Sequence, residues 1–428
     1  MLPKTEDPPR AHRAADGPEP APLLTVWELT LQCDQPCNHC GSRAGKPRGR
    51  ELTTNEVLDT AKRLVALGCR EFVFIGGEAY LRDDLAEIVA GTTALGVRAQ
   101  LQTGGRAFHE GRAKALADAG LFAVGVSVDG MEATHDLQRG NRGSHAAAIR
   151  ALEVSVAAGL LTTVNTQVNR LNLGELRALA QDLRRRGVVA WQPGLTVPMG
   201  RAADRPEWLL EPWQIVEVID VLAEIQLEAV KSFAGGRPFD VVTGNTIGYY
   251  GPHEHVLRSH PGGTETHWSG CGAGEFVIGI ESDGTVKGCP SLATEAYAGG
   301  NLLETPIERL WHERGQLHFA RERTTDELWG HCKDCYYAAA CGAGCSWMTD
   351  ALFGRRGNNP FCYHRVKQLE KRGIRERLVP IERAPQRPYD RGRFALEEIA
   401  ADAPSEGSAE SLRRRLPLMK GAPGAGQS

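Results

Sequence analysis

Cys33, Cys37 and Cys40 stand in the run CDQPCNHC, three thiols within eight residues. Thiolates are the ligands that soft metals and iron–sulfur clusters select, and this spacing lets three of them converge on one centre. A four-iron cluster has four irons to coordinate, so three cysteines leave one iron free for a substrate or cofactor. The chain has eleven cysteines, and ten of them fall into two ordered sets, the second being Cys271, Cys289, Cys332, Cys335, Cys341, Cys345 and Cys362. A disulfide framework suits short secreted chains, whereas 428 residues can bury a core without staples. Structural zinc would suit Cys332, Cys335, Cys341 and Cys345 taken alone. With the Cys33 triplet in the same chain, iron–sulfur chemistry covers both sets. The eleventh, Cys69, precedes an apolar run and reads as a buried structural thiol.

The triplet resembles the signature of the radical S-adenosylmethionine (SAM) superfamily. There the open iron chelates the amino and carboxylate groups of SAM and delivers the electron that splits it, giving methionine and a 5′-deoxyadenosyl radical that abstracts hydrogen. The second set, with four residues between Gly284 and Cys289, resembles the seven-cysteine SPASM domain, which binds two auxiliary clusters. The resemblance implies three [4Fe–4S] clusters and SAM as cofactors, with an external electron donor such as flavodoxin or ferredoxin. It puts Cys271, Cys289 and Cys345 on the nearer auxiliary cluster and Cys332, Cys335, Cys341 and Cys362 on the distal one. Some relatives carry an eighth cysteine shortly before the first. Here that stretch is HPGGTETHWSG, so one iron is open or takes a non-thiolate ligand, with His260, Glu265 and His267 as neighbours.

The elements that must position these groups alternate between short apolar runs and amphipathic stretches from Leu23 to about Val230. TVWELTL reads as a strand entering the Cys33 loop, and Thr53 or Thr54 caps a helix running to Gly68. EFVFIGG, VRAQLQT, FAVGVSVDG, LTTVNTQVN and VVAWQPGLTV are further strands, separated by helices at 83–95, 109–119, 145–158 and 173–186. Such alternation argues for α/β architecture with a parallel sheet and helices outside. Six units match the partial (β/α)6 TIM-like barrel of radical SAM enzymes, followed here by the small cysteine-rich SPASM domain.

Strand ends are where such folds place ligands. Gly76, Gly77 and Glu78 resemble the family's GGE motif, whose backbone and carboxylate hold the SAM ammonium; glycine permits close backbone approach. Ala79 replaces the usual following proline. Gln102 in QTG resembles a segment that contacts the methionine part, and Ser127 and Asp129 in SVDG resemble the ribose- and carboxylate-contacting strand end. Arg139 occupies the place of an arginine set against the SAM carboxylate, a pairing its planar fork suits. Asn165 ends the fifth strand as a cofactor or substrate contact. His39 reads as packing near the adenine rather than as a metal ligand. Tyr249, Tyr250, His253, Glu254 and His255 lie in an irregular stretch that suits a substrate-covering loop.

The expected organisation is a disordered tail at 1–22, barrel at 23–230, bridging loops at 231–270, SPASM domain at 271–370, and a C-terminal helix near Leu396–Ala401 within a loose tail at 371–428. A net charge of -3 gives no electrostatic case for nucleic acid or membrane, and no apolar run approaches a membrane span. Free thiols and oxygen-sensitive clusters point to the cytoplasm. The expected function is oxidative modification of a ribosomally made peptide (cross-linking, rearrangement or epimerisation). A small molecule such as a tetrapyrrole side chain or sugar, and a non-enzymatic electron carrier, are the alternatives. Pro290 follows Cys289 where sulfatase-maturing members have an acidic base, which argues against that activity. The expected start of the barrel at about Leu23 leaves no room for a precursor-recognition domain, which implies either a separate recognition protein or a substrate that is not a ribosomal peptide.

Overall fold

The computed structural model describes residues 19–231, 239–259, 266–403 and 412. The first strand, β1 (Leu24–Glu28), leads into the triplet loop. There follow α1 (Thr54–Ala66), β2 (Glu71–Ile75), α2 (Leu85–Thr93), β3 (Arg98–Thr103), α3 (Glu110–Asp118) and β4 (Ala123–Ser127). Then come α4 (Glu132–Arg139), α5 (Ser144–Ala157), β5 (Leu161–Val168), α6 (Leu176–Arg185), β6 (Ala190–Leu195), α7 (Ile215–Lys231) and the short β7 (Asp240–Val241). These seven strands pair in chain order, each parallel to the next. Thr53 caps α1 in a capping box with Glu56, as the sequence suggests. Trp27, Phe72, Phe74, Leu101, Val124, Val164 and Trp191 are buried along the strands, as in a parallel sheet covered by helices.

The cysteine-rich region is not detached from the barrel. Its strands β8 (Val277–Ile280), β9 (Thr285–Lys287) and β10 (Ala298–Asn301) continue the same sheet, because β8 lies parallel against β1. β8 and β9 form the expected hairpin around Asp283–Gly284. The join is polar as well as backbone-paired. Arg48 reaches Glu28 at the end of β1 (3.0 Å) and Glu281 on the hairpin (2.8 Å), while buried Lys287 pairs with Glu281 at 2.7 Å.

The C-terminal expectation is corrected. In place of a helix near Leu396–Ala401, strand β12 (Arg393–Ala400) pairs antiparallel with β11 (Ile374–Glu382). The helix-forming composition of ALEEIA yields to cross-strand pairing, with Leu396 opposite Leu378 and Phe394 opposite Pro380. The link between these strands is equally ordered: Tyr389 donates to Glu28 (2.5 Å) and Asp390 accepts from Arg43 (2.7 Å). Residues 1–18 and the basic run 413–415 lie outside the described residues.

Candidate functional site

The triplet loop takes its shape from distant parts of the chain. Arg201 donates to the carbonyls of Cys37 (2.6 Å) and Ala44 (3.1 Å), and Asn38 N–H to that of Gln138 (2.8 Å). Arg43, at φ 50, bonds Asp204 and Asp390 at 2.7 Å each. Gly200 has φ +57, and a Cβ there would lie 2.3 Å from Gly41 O. Gly76 and Gly77 also serve this loop. Gly77 N–H reaches Thr30 O (2.8 Å) and Glu78 N–H reaches Gln32 O (2.7 Å), and a Cβ on Gly77 would meet Gln32 O at 2.1 Å. The close approach these glycines permit is thus to the segment entering Cys33.

The three thiols are close enough to feel one another. Burial first, then Glu78, Cys37 and Cys40, push the Cys33 thiol far up, and burial pushes Cys37 to about 11 despite the opposing charge of Arg139. Such a set gives up its protons when a cationic centre is supplied, so the donors fit an iron–sulfur cluster. Around them, Arg139 Nη2 stands 2.6 Å and His39 Nε2 3.3 Å from Asp129 Oδ2, with Arg139 Nη1 3.6 Å from Cys37 Sγ. Burial alone would raise Asp129, but Arg139 and His39 outweigh it and hold the carboxyl well below the usual range. Glu78 is buried, which raises it to about 7 although Thr103 Oγ1 and Gly104 N–H donate to it at 2.6 Å each. Gln102 accepts from Asn165 Nδ2 and lies against Gly125, while Ser127 sits half-buried opposite Asn165 at the end of β4. Of the eight expected contact residues, Gly76, Gly77, Glu78, Asp129 and Arg139 thus stand against the triplet loop or its thiols, while Gln102, Ser127 and Asn165 form a neighbouring polar group on β3, β4 and β5.

Helix α4, which carries His135, Gln138 and Arg139, has no counterpart in the sequence reading. Its buried face is polar (Thr134, His135, Asp136, Gln138, Arg139), so no apolar periodicity marks it. His135 takes the N–H of Asp129 on Nδ1 at 3.0 Å and faces Ser144 Oγ with Nε2 at 3.2 Å. Burial, then Arg139, lowers it to about 3, so the ring is neutral. The same reading passed over Gln35, which is 3% exposed inside the triplet loop.

The auxiliary cysteines separate into the two expected groups. Burial, then Cys271 and Cys289, raise Cys345, and burial followed by Cys271 pushes Cys289 to about 11. Cys332, Cys335, Cys341 and Cys362 line one cavity together with Tyr249, Tyr250 and Tyr337. Four thiols around one such cavity also fit a cluster. Trp347, two residues beyond Cys345, touches Met199 of the barrel (Nε1–Sδ 3.3 Å).

Tyr249 is not placed to contact a substrate, contrary to expectation. It is fully buried, donates to Asn245 O (2.5 Å) and accepts from Cys345 N–H (2.9 Å), and its ring walls the four-thiol cavity. Tyr250, Glu254 and His255 instead line an open groove of about 720 Å³ with Thr266, His267 and Tyr337. His253 stands apart, 3.7 Å from Asp220. His267 lies in that groove, which shares Tyr250 and Tyr337 with the four-thiol cavity, and His260 and Glu265 lie outside the described residues. Cys69 is the expected structural thiol, buried against Thr25 Oγ1 at 3.3 Å.

Known proteins match both halves. The family described as the Radical SAM superfamily matches residues 27–183, and the SPASM iron–sulfur cluster-binding domain matches residues 271–336. An AdoMet-dependent heme synthase of Methanosarcina barkeri is 30% identical over 81% of this chain and 97% of that protein; that of Nitratidesulfovibrio vulgaris is 26% identical over 84% and 98%. The mycofactocin maturase MftC of Mycobacterium ulcerans is 30% identical over 76% of this chain and 83% of that protein. Among solved structures, anSMEcpe with bound AdoMet aligns at TM-score 0.62 and 18% identity, over 81% of this chain and 95% of that one. Streptococcus suis SuiB bound to S-adenosylmethionine aligns at 0.61 and 14%, over 76% and 73%. The protein belongs to the radical SAM superfamily and is an enzyme of that family carrying a C-terminal SPASM iron–sulfur domain.

Proposed function

We propose that this enzyme oxidises a ribosomally made peptide, with Cys33, Cys37 and Cys40 holding the SAM-cleaving cluster and two further [4Fe–4S] clusters on Cys271/Cys289/Cys345 and Cys332/Cys335/Cys341/Cys362. Clusters bound there supply single electrons in both directions, one for reductive cleavage of SAM and one uptake from the oxidised substrate. The protein's own part is orientation and exclusion. Glu78 at the end of β2 offers a buried acceptor for the SAM ammonium, and Arg139, fixed by Asp129, adds a cation beside Cys37. Gln102, Ser127 and Asn165 supply polar groups on the neighbouring strand ends, where the methionine and ribose parts would lie. Glu78, Asp129 and Arg139 are buried in the barrel, which strengthens the contacts they would make and helps to protect a radical from quenching.

The observation that carries the peptide reading is the groove of Tyr250, Glu254, His255, Thr266, His267 and Tyr337. It is open, polar and aromatic-lined, a character that suits an extended peptide better than the enclosed apolar site of a flat macrocycle. Its place beside the distal thiol set would hold a part of the peptide remote from the reacting residue. The relative named mycofactocin maturase supports the same reading. A second reading, a heme precursor, is favoured by the match to heme synthases over 97% and 98% of their length. Anaerobic incubation of the reconstituted enzyme with SAM, a reductant and either a peptide encoded beside its gene or an iron porphyrin tests the two by mass spectrometry. A mass change confined to the peptide supports the first reading, and one confined to the porphyrin overturns it. An external donor such as flavodoxin or ferredoxin and a separate precursor-recognition protein belong to the same proposal.

A further inference from the structure

Gln35 sits between Cys33 and Cys37, 3% exposed, and its Nε2 is buried without a hydrogen-bond partner among the described residues. A buried amide donor left unpaired is unfavourable, so it marks a place where an acceptor is missing. The amide's direction is fixed by a chain of bonds. His135 Nδ1 accepts the backbone N–H of Asp129 at 3.0 Å, so the neutral ring carries its proton on Nε2, facing Ser144 Oγ at 3.2 Å. Ser144 is fully buried, and its hydroxyl donates a hydrogen bond to Gln35 Oε1 at 3.4 Å. Turning the amide round would leave the Ser144 hydroxyl proton with no acceptor, because its oxygen would then face two donors. Gln35 must therefore present its NH2 to the opposite side.

That side is towards Glu78. Gln35 Nε2 and Glu78 Oε1 lie 2.5 and 2.8 Å from where a Cβ on Gly104 would stand, so a donor and an acceptor flank the same glycine. An α-amino acid carries its ammonium and carboxylate on the same carbon and needs such a neighbouring pair. Arg139 divides its guanidinium between Asp129 (Nη2, 2.6 Å) and the Cys37 side (Nη1, 3.6 Å), so a carboxylate set against it has room for a second donor. We propose that Gln35 is a second binding group for SAM, its amide donating to the SAM carboxylate while Glu78 takes the ammonium, and that Ser144 and His135 are positioning residues that aim it. The inference rests on the reading that SAM binds at Glu78.

The test is equilibrium binding of SAM and of decarboxylated SAM to the anaerobically reconstituted protein, with iron content measured alongside. Gln35→Leu is expected to raise the Kd for SAM about tenfold, the usual scale for one hydrogen bond to a charged group, and to leave decarboxylated SAM unaffected. Ser144→Ala frees the amide to turn and is expected to weaken SAM alone, by a smaller factor; it decides the matter if Gln35→Leu fails to load iron. Equal losses for both ligands, or an unchanged SAM Kd with a shifted reduction potential of the SAM-free cluster, would overturn the proposal, the latter by assigning the amide to a cluster sulfur. A wild-type protein that loads iron yet binds neither ligand would contradict the SAM reading itself.

Discussion

The triplet loop and the four-thiol cavity hold thiols by opposite means. Cys33, Cys37 and Cys40 come from one short loop, and Arg201, Arg43, Asn38 and Gly200 bind it to the barrel and to the C-terminal link. Cys332, Cys335 and Cys341 come from one ten-residue stretch and Cys362 from a segment further on, with only small apolar clusters beneath them, such as Leu328 with Ala343 and Tyr249 with Trp268. A loop fixed by its surroundings can keep an iron open for a cofactor without losing its shape. A cavity built around four thiols takes more of its stability from what fills it.

The largest expected effect separates the two regions by function. Replacing Cys33, Cys37 and Cys40 by Ala should abolish 5′-deoxyadenosine formation and lower iron from about twelve to about eight per chain, a count that follows from three four-iron clusters. Replacing Cys332 and Cys335 should leave SAM cleavage in place. Metal removal sharpens the comparison further. Hydrogen exchange of the chelated protein should show residues 328–345 losing protection while β1–β6 retain theirs, and uniform exchange in both regions would erase the distinction.

Smaller effects concern how the triplet region is held. Arg139→Lys should weaken SAM binding roughly ten- to hundredfold at normal iron content, since a point charge cannot keep both the Asp129 pair and a ligand contact. An unchanged Kd measured by equilibrium dialysis would leave Arg139 a purely structural partner of Asp129. His135 gives the pH dependence. Its folded value of about 3 lies below the ordinary 6.5, so its contribution to stability is whole above 6.5 and is lost as pH falls from there towards 3. Asp129 opposes the depression, while Arg139, His145 and His39 add to the effect of burial. Melting temperatures of wild type and His135→Asn should converge as pH drops from 7.5 to 5, and a constant gap would remove His135 from the account.

Much of this was legible in the sequence. Cysteine spacing separated the sets, alternation of apolar runs gave the parallel sheet, and Thr53 announced its helix. What stayed hidden has physical reasons. Helix α4 buries polar side chains and so lacks an apolar stripe. β12 is written in helix-forming residues and becomes a strand only because β11 lies beside it. Tyr249 reads as a loop aromatic, and only the tertiary arrangement reveals it as the wall between two thiol groups. Gln35 carries no signal in its type or spacing; its role emerges from a hydrogen-bond direction set by His135 and Ser144.

The central claim is that the triplet region makes the radical and the auxiliary thiols, entered through the set nearer the barrel, receive the electron. The ratio of modified substrate to 5′-deoxyadenosine in wild type and in Cys271→Ala measures it most directly, because Cys271 belongs to the thiol group that touches the barrel through Trp347 and Met199. The account predicts that Cys271→Ala continues to form 5′-deoxyadenosine while its yield of modified substrate collapses. Full product yield from that variant would contradict it and leave the nearer auxiliary set a structural fastening.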